Sequence, residues 1–224
     1  MRSYADACGI TRALDLVGER WAIPVVRELM FGPRRYSDLA TALPGVSTNI
    51  LGSRLKELTE AGVVEKRRLP APAASTVYAL TPWGEALEPV LIALGRWAAH
   101  TPTDLENHAF SASSFALSLK TTFDPVAAAE VNVRLCLEMG EDVFDAEVGD
   151  GAFAIQRSPD PARASASTTR VVAEPKTLAD LVYADLDLTE ATRNGSLRLD
   201  GSARSVDSFT RCFTLPERQK EGIR

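Results

Sequence analysis

Seven bases fall between Arg34 and Arg68 (Arg34, Arg35, Arg54, Lys56, Lys66, Arg67 and Arg68), against four acids, Asp38, Glu57, Glu60 and Glu65. So dense a set of guanidinium and ammonium groups can meet an anion, and taken alone it can equally be scattered solvated charge. Between the basic clusters, Ser47–Ala61 sets Leu51, Leu55 and Leu58 in one stripe at about 100° per residue. Asn49, Ser53 and Lys56 fall on the opposite side, with Thr48, Gly52 and Arg54 flanking. Asn can pair bidentately with adenine and Arg with guanine, while Ser and Thr are less selective. Gly52 would let such a helix approach a partner closely, at a helix-propensity cost of about 1 kcal/mol. An ordinary amphipathic surface helix has the same pattern, so the surrounding elements must decide.

Other chemistry is sparse. The sequence holds no nucleophile elbow, P-loop or dinucleotide fingerprint, and only two histidines, His100 and His108. No catalytic residues, cofactor or metal are expected. Cys8, Cys136 and Cys212 are odd in number and widely spaced, which fits neither a disulfide framework nor a zinc site. No run of about 18 apolar residues suggests a membrane span. The N-terminus lacks the apolar core of a signal peptide, so a cytoplasmic location is expected. The 224 residues carry a net charge of −5, distributed unevenly. Residues 1–102 hold 12 Lys/Arg and 10 Asp/Glu, whereas residues 103–224 hold 13 and 20. An acidic second half is a poor DNA-binding surface, better suited to a small molecule or to association.

The elements that must position these residues are legible in outline. Ile10–Val17 and Trp21–Phe31 read as helices ended by Gly18 and by Gly32-Pro33, with Pro24 in the first turn of the second. Tyr36–Leu43 is a third helix. Ser47 reads as the N-cap of a long fourth helix, which Gly62 closes. The period then changes to two over Val63–Leu69 and Thr76–Leu80, strands joined by a Pro-rich turn. Thr81-Pro82 starts a further helix in which Pro89 predicts a kink. Polar Thr101–Asn107 is the expected linker. Beyond it, Ser113–Phe123 reads as a helix, and Val131–Leu137, Val143–Val148, Ala152–Gln156 and Ala166–Val172 as strands of an antiparallel sheet. Leu178–Ala184, Leu188–Asn194 and Ser205–Phe213 then read as helices, with a short strand at Leu197–Leu199. Pro159–Thr169 reads as a loose loop.

Three helices, a turn, a long helix, a two-stranded hairpin and a helix follow the order of a winged helix-turn-helix. The text of residues 8–100 resembles the HxlR-type transcriptional regulators, relatives of the MarR group. It does so through Cys8, Ala13-Leu-Asp-Leu-Val-Gly-Glu-Arg-Trp21, Gly32-Pro-Arg-Arg-Tyr-Ser-Asp-Leu39, Leu51-Gly-Ser-Arg-Leu-Lys-Glu-Leu58, Glu60-Ala-Gly-Val-Val64 and Tyr78-Ala-Leu-Thr81. The resemblance implies a homodimer binding double-stranded DNA at a pseudo-palindromic operator, commonly as a repressor, with Pro82–Ala99 helping to form the dimer. It implies phosphate contacts for Arg34, Arg35 and Tyr36, base reading by the helix capped by Ser47 through Thr48, Asn49, Ser53, Arg54 and Lys56, and wing contacts for Lys66, Arg67 and Arg68. Ala71–Ala74 departs from the basic wing tip common among relatives, which weighs against minor-groove reading. Cys8 aligns with a cysteine that several members use to sense electrophiles or oxidants, the alternative being an inert packed thiol. Trp21, Trp83 and Trp97 read as core or dimer anchors.

The second half resembles, less specifically, the sterol-carrier-protein-like lipid-binding domains. The resemblance rests on Thr177-Leu-Ala-Asp-Leu-Val182, Ala191-Thr-Arg-Asn-Gly-Ser-Leu-Arg-Leu-Asp-Gly201 and Ser208-Phe-Thr-Arg-Cys-Phe213. The expected architecture is therefore α+β: a winged helix-turn-helix domain at 1–102 and a sterol-carrier-like domain at 108–216, an antiparallel sheet covered by helices. Candidate lining residues for a small apolar ligand are Phe115, Leu119, Phe123, Leu135, Leu178, Leu181, Val182, Phe209 and Phe213, all of which an ordinary core would also use. The expected function is a DNA-binding regulator modulated by such a ligand or another signal. The alternative is a carrier of lipid or hydrophobic metabolite, or an association module, with a vestigial helix-turn-helix.

Overall fold

A computed structural model describes residues 3–70, 75–101, 104, 107–158 and 169–217. The wing tip Ala71–Ala74, Arg2 and most of the Pro159–Thr169 loop lie outside the described residues. The chain divides into two compact units, Met1–Leu91 and Ile92–Arg224.

The first unit runs α1 (Gly9–Val17), α2 (Ala22–Leu29), α3 (Tyr36–Ala42), α4 (Thr48–Glu60), β1 (Val64–Arg68), β2 (Thr76–Leu80), α5 (Pro82–Glu85) and the start of α6 (Glu88–Ala98). Its core joins Val25, Val26 and Leu29 of α2, Leu39 of α3, the Leu51, Leu55 and Leu58 stripe of α4, and Val64 and Val77 of the hairpin, all almost wholly buried. β1 and β2 pair antiparallel from Val64↔Leu80 to Arg68↔Thr76. Two expectations change. Trp21 is the N-cap of α2 in the left-handed region (φ 77°) rather than its first helical residue. Pro24 thereby becomes the third helical residue, still among those whose N–H needs no intrahelical partner. The expected kink at Pro89 is a break: α5 ends at Glu85 and α6 restarts at Glu88. Proline lacks the N–H for a bond to residue 85, and its ring crowds that carbonyl.

The second unit continues α6 and adds α7 (Ala112–Thr122), β3 (Val133–Met139), β4 (Asp142–Gly149), β5 (Ala152–Arg157), β6 (Thr169–Ala173), α8 (Pro175–Tyr183), α9 (Leu188–Asn194), β7 (Leu197–Asp200) and α10 (Ala203–Thr210). Val131 precedes β3 instead of joining its face. The five strands order as β5-β4-β3-β6-β7. Three ladders are antiparallel, but β3 and β6 run parallel, from Leu135↔Thr169 to Glu138↔Val172. The fully antiparallel sheet expected from sequence is thus corrected to a mixed one. Each antiparallel step reverses direction, so β5 runs with β3, and a strand entering on the far side of β3 in that same direction requires a crossover. Successive strand-like segments carry no mark of such a step.

One face of this sheet buries Leu135, Leu137, Ala146, Val148, Ile155 and Val171. Period two turns Arg134, Glu138, Glu147 and Arg170 to the other face. There Arg134 pairs with Glu147 (2.7 Å) and Arg170 Nε donates to Glu138 (2.8 Å). α7 and α8 pack together, α7 also meets β5, and α10 lies on β3. Two glycines are required by the backbone: Gly195 ends α9 at φ 79°, and Gly201 sits at φ 124° where a Cβ would come within 2.8 Å of Thr169 Oγ1.

Candidate nucleic-acid interface

α4 is set by its ends and its leucines. The Ser47 hydroxyl accepts from the Ile50 N–H (3.3 Å), supplying one of the partners that a helix start lacks. Leu51, Leu55 and Leu58 anchor the inner face, and α4 meets α2 and β1. Thr48, Asn49, Ser53 and Lys56 are consequently exposed. Lys56 also faces Glu60 across one turn (3.7 Å).

The basic residues divide into two groups. Arg35 is exposed, and its Nε donates to Ser75 Oγ just ahead of β2, at the turn end of the hairpin (3.3 Å). Lys66, Arg67 and Arg68 are exposed along β1; Lys66 lies 5.9 Å from the Tyr78 ring centroid and Arg67 pairs with Glu65. Arg34 departs from the expected phosphate contact. Its backbone exchanges hydrogen bonds with Tyr78 (2.9 and 2.8 Å), tying the α2–α3 segment to β2. Its side chain is only 9% exposed, with Nη2 3.9 Å from the fully buried Glu28, which also accepts from Arg27 (2.9 Å). A guanidinium so placed would have to leave a buried carboxylate to reach a phosphate, at a cost of several kcal/mol. Tyr36 is half-buried, and its phenol donates to the Thr48 carbonyl (2.7 Å), bracing α3 against the first turn of α4.

Arg54 and Ser53 share one carboxylate. The Ser53 hydroxyl donates to Glu57 Oε1 (2.9 Å) while the Arg54 guanidinium pairs with Glu57 Oε2. Arg54 lies 3.9 Å from Glu19, in the α1–α2 turn, and its side chain is 15% exposed. Sequence reasoning passed over Glu57 in this role, although its position three and four residues beyond Arg54 and Ser53 is the spacing at which helical side chains meet.

α1 buries none of its residues; Ile10 and Leu14 on it, Trp83 on α5 and Val90 on α6 are exposed apolar groups. Beside them lies a shallow apolar groove of about 200 Å³ lined by Leu16, Val17, Val63, Trp83 and Leu87 among others. Of the expected core or dimer anchors, Trp21 is half-buried, and Trp83 and Trp97 are exposed. Cys8 is exposed at the N-cap of α1, where the N–H groups of Ile10 and Thr11 draw its thiol below the ordinary value. Burial pushes the Cys136 and Cys212 thiols up.

In the second unit, Phe115, Leu119, Leu135, Leu178, Phe209 and Phe213 are buried, and Phe123, Leu181 and Val182 half-buried. Phe209 and Phe213 meet at 4.8 Å, Phe153 stands 5.0 Å from Phe213, and Phe123 5.5 Å from Phe153. Phe153, half-buried on β5, belongs to this cluster and was missed from sequence. The alternation of β5 is the signal that would have found it. Among the described residues, no group of three or more His, Cys, Asp or Glu could hold a metal ion, and no helix is long and apolar enough to cross a membrane.

Comparison with known proteins concerns the first of these surfaces. The HxlR-like helix-turn-helix family matches residues 16–104. An uncharacterized HTH-type transcriptional regulator, YvaP of Bacillus subtilis, is 38% identical over 87 residues, spanning 39% of this chain and 81% of YvaP. The HTH-type transcriptional regulator YodB of the same organism is 36% identical over 86 residues, 38% of this chain and 77% of YodB. The structure of YodB in its reduced form matches at 33% identity with a TM-score of 0.40, covering 44% of this chain and all of that one.

Proposed function

Because the chain belongs to the HxlR-like helix-turn-helix family, we propose that it is a DNA-binding transcriptional regulator, acting as a homodimer on a pseudo-palindromic operator and repressing from it. The observation that carries this reading is the exposed polar face of α4, Thr48, Asn49, Ser53 and Lys56, held outward by a buried leucine stripe. An α-helix fits the major groove, and an outward polar face is what reads base edges there. Arg35, Lys66, Arg67 and Arg68 supply phosphate contacts, while Tyr36, Arg34 and Arg54 position the helix and the wing. The unburied apolar groups of α1, α5 and α6 support a dimer, because such groups gain most from a second copy. Two copies then present two reading helices to half-sites about one helical turn apart.

The second domain, 108–216 in this reading against 1–102 for the first, is a sterol-carrier-like module for a small apolar ligand. Its support is local: helices over one sheet face and a Phe123–Phe153–Phe209–Phe213 cluster with two half-buried members. A ligand with unequal affinity for two dimer geometries shifts DNA affinity by the coupling energy, commonly about 1–3 kcal/mol. Cys8, exposed and with a lowered thiol pKa, supports a thiol-borne signal as a second input. The protein is read as a non-enzyme of the cytoplasm. Fluorescence anisotropy with duplex from upstream of its own gene, across a salt series and with fatty-acid displacement in parallel, tests the proposal. Salt-dependent DNA binding is expected. Ligand binding with no such DNA binding would instead identify a carrier.

A further inference from the structure

We propose that Ile50 is a specificity-determining residue of α4, packing against the C5-methyl group of a thymine in the major groove. The inference rests on the DNA-binding reading above and deepens it. Among the described residues from Gly32 to Leu80, Ile50 is the one large apolar side chain left exposed, at 44%. Of the other large aliphatic groups there, Leu39, Leu43, Leu51, Leu55, Leu58, Val63, Val64, Val77 and Leu80 are 5% exposed or less, and Val46 and Leu69 are half-buried. Ile50 stands in the first turn of α4, on the N-terminal half where a recognition helix meets base edges.

The helical wheel places it with purpose. Opposite the leucine stripe, the outward arc of the first two turns runs Gly52, Asn49, Ser53, Ile50 at about 100° per residue. Gly52 closes one side of the arc, and a Cβ there would meet nothing within 4 Å. No neighbour in the described chain therefore demands the glycine, which suits close approach of the helix to one groove wall. Ile50 closes the other side with methyl groups. A β-branched side chain in a helix holds essentially one χ1 rotamer, so contact with it sacrifices little freedom.

The polar readers around it are partly engaged. Ser53 donates to Glu57, and Arg54 pairs with Glu57 and lies near Glu19. Asn49 remains the central hydrogen-bonding reader, and adenine is its matching base. The thymine methyl is the apolar feature that the major groove adds to the hydrogen-bond pattern of an A·T pair, so Ile50 and Asn49 together suit A·T-containing half-sites.

The test uses the full chain and the tightest-binding duplex selected from a random 30-base-pair pool. Each thymine is replaced in turn by deoxyuridine, which removes only the methyl group, and affinity is measured for wild type, Ile50→Ala and Ile50→Val. Wild type is expected to lose about fourfold at one thymine per half-site and about fifteenfold when both are replaced, the value of burying one methyl group converted to affinity. Ile50→Ala is expected to bind the thymine and uracil duplexes equally, with an unchanged salt slope, and Ile50→Val to keep part of the preference. Salt-dependent binding that ignores every thymine methyl, or a preference that survives in Ile50→Ala, would overturn the assignment while leaving DNA binding intact. Failure of any duplex to bind in a salt-dependent way would overturn both.

Discussion

Replacing Glu57 with Gln separates a carboxylate that faces DNA from one that merely braces the helix. In the free protein Glu57 holds Ser53 and Arg54 and lies on the outward side of α4. The major groove is about 12 Å wide, so a carboxylate carried into it stands some 6–10 Å from phosphates on either wall. In bulk water each such pair repels by about 0.4–0.7 kcal/mol, and screening at physiological salt removes more than half. Several phosphates together leave a net penalty of about 0.5–1 kcal/mol, so Glu57→Gln should tighten duplex binding about two- to fivefold. The opposing cost is small. Exposed helical ion pairs are worth about 0.3–0.5 kcal/mol; Arg54 and Glu57 are part-buried, at 15% and 30% side-chain exposure, so urea unfolding should shift by more than that but by no more than about 1 kcal/mol. Anisotropy titrations at two salt concentrations are the assay, and the gain should shrink at the higher salt. Unchanged or weaker binding at equal stability would refute the placement, since Glu57 would then face away from the duplex or accept a hydrogen bond from a base.

Other expectations follow from the same geometry. Arg54→Ala should lower affinity for all sequences alike, because Arg54, paired with Glu57 on its own helix, ties α4 to Glu19 in the α1–α2 turn, whereas Asn49→Ala should flatten base preference; competition binding with single-base variants distinguishes them. Arg67→Ala, changing two wings per dimer, should reduce the slope of log affinity against log salt by about 1.8, and an unchanged slope would remove Arg67 from the interface. Glu28→Ala deprives the nearly buried Arg34 of its carboxylate and should destabilise by about 3–5 kcal/mol in urea unfolding; a loss below about 1 kcal/mol would contradict a buried ion cluster. Cys8 should be alkylated by iodoacetamide well before Cys136 and Cys212 in the folded protein, since its thiol is exposed and lowered and theirs are buried and raised; peptide mass mapping over time reads the order.

The first unit was legible because its signals are local. Ser47 caps α4 as its side chain predicts, Gly62 follows at φ 75°, and the leucine spacing of α4 matches the buried face. What the sequence could not convey was the destination of long polar side chains. Arg34 and Arg35 are chemically identical neighbours, yet one turns towards Glu28, six residues back on α2, and the other towards Ser75. Both outcomes depend on contacts set only by the packed fold. Pro89 was read correctly as a disruption but too weakly, since whether a helix bends or stops depends on what holds the next turn. In the second unit the strands were found within two or three residues, because alternation is local. The parallel β3–β6 pairing was not, because order and direction belong to the connection rather than to the strands. The aromatic cluster was three-quarters visible, Phe153 being the one overlooked.

In the proposed dimer α4 enters the major groove twice. Dimethyl sulfate reaches guanine N7 only through that groove, so protection of guanines by the bound full-length protein tests the claim most directly. Two clusters of protected guanines about one helical turn apart, or a whole multiple of it, are expected, with adenine N3 in the minor groove left reactive between them. Guanines that stay fully reactive on a saturated, specifically bound duplex would contradict it.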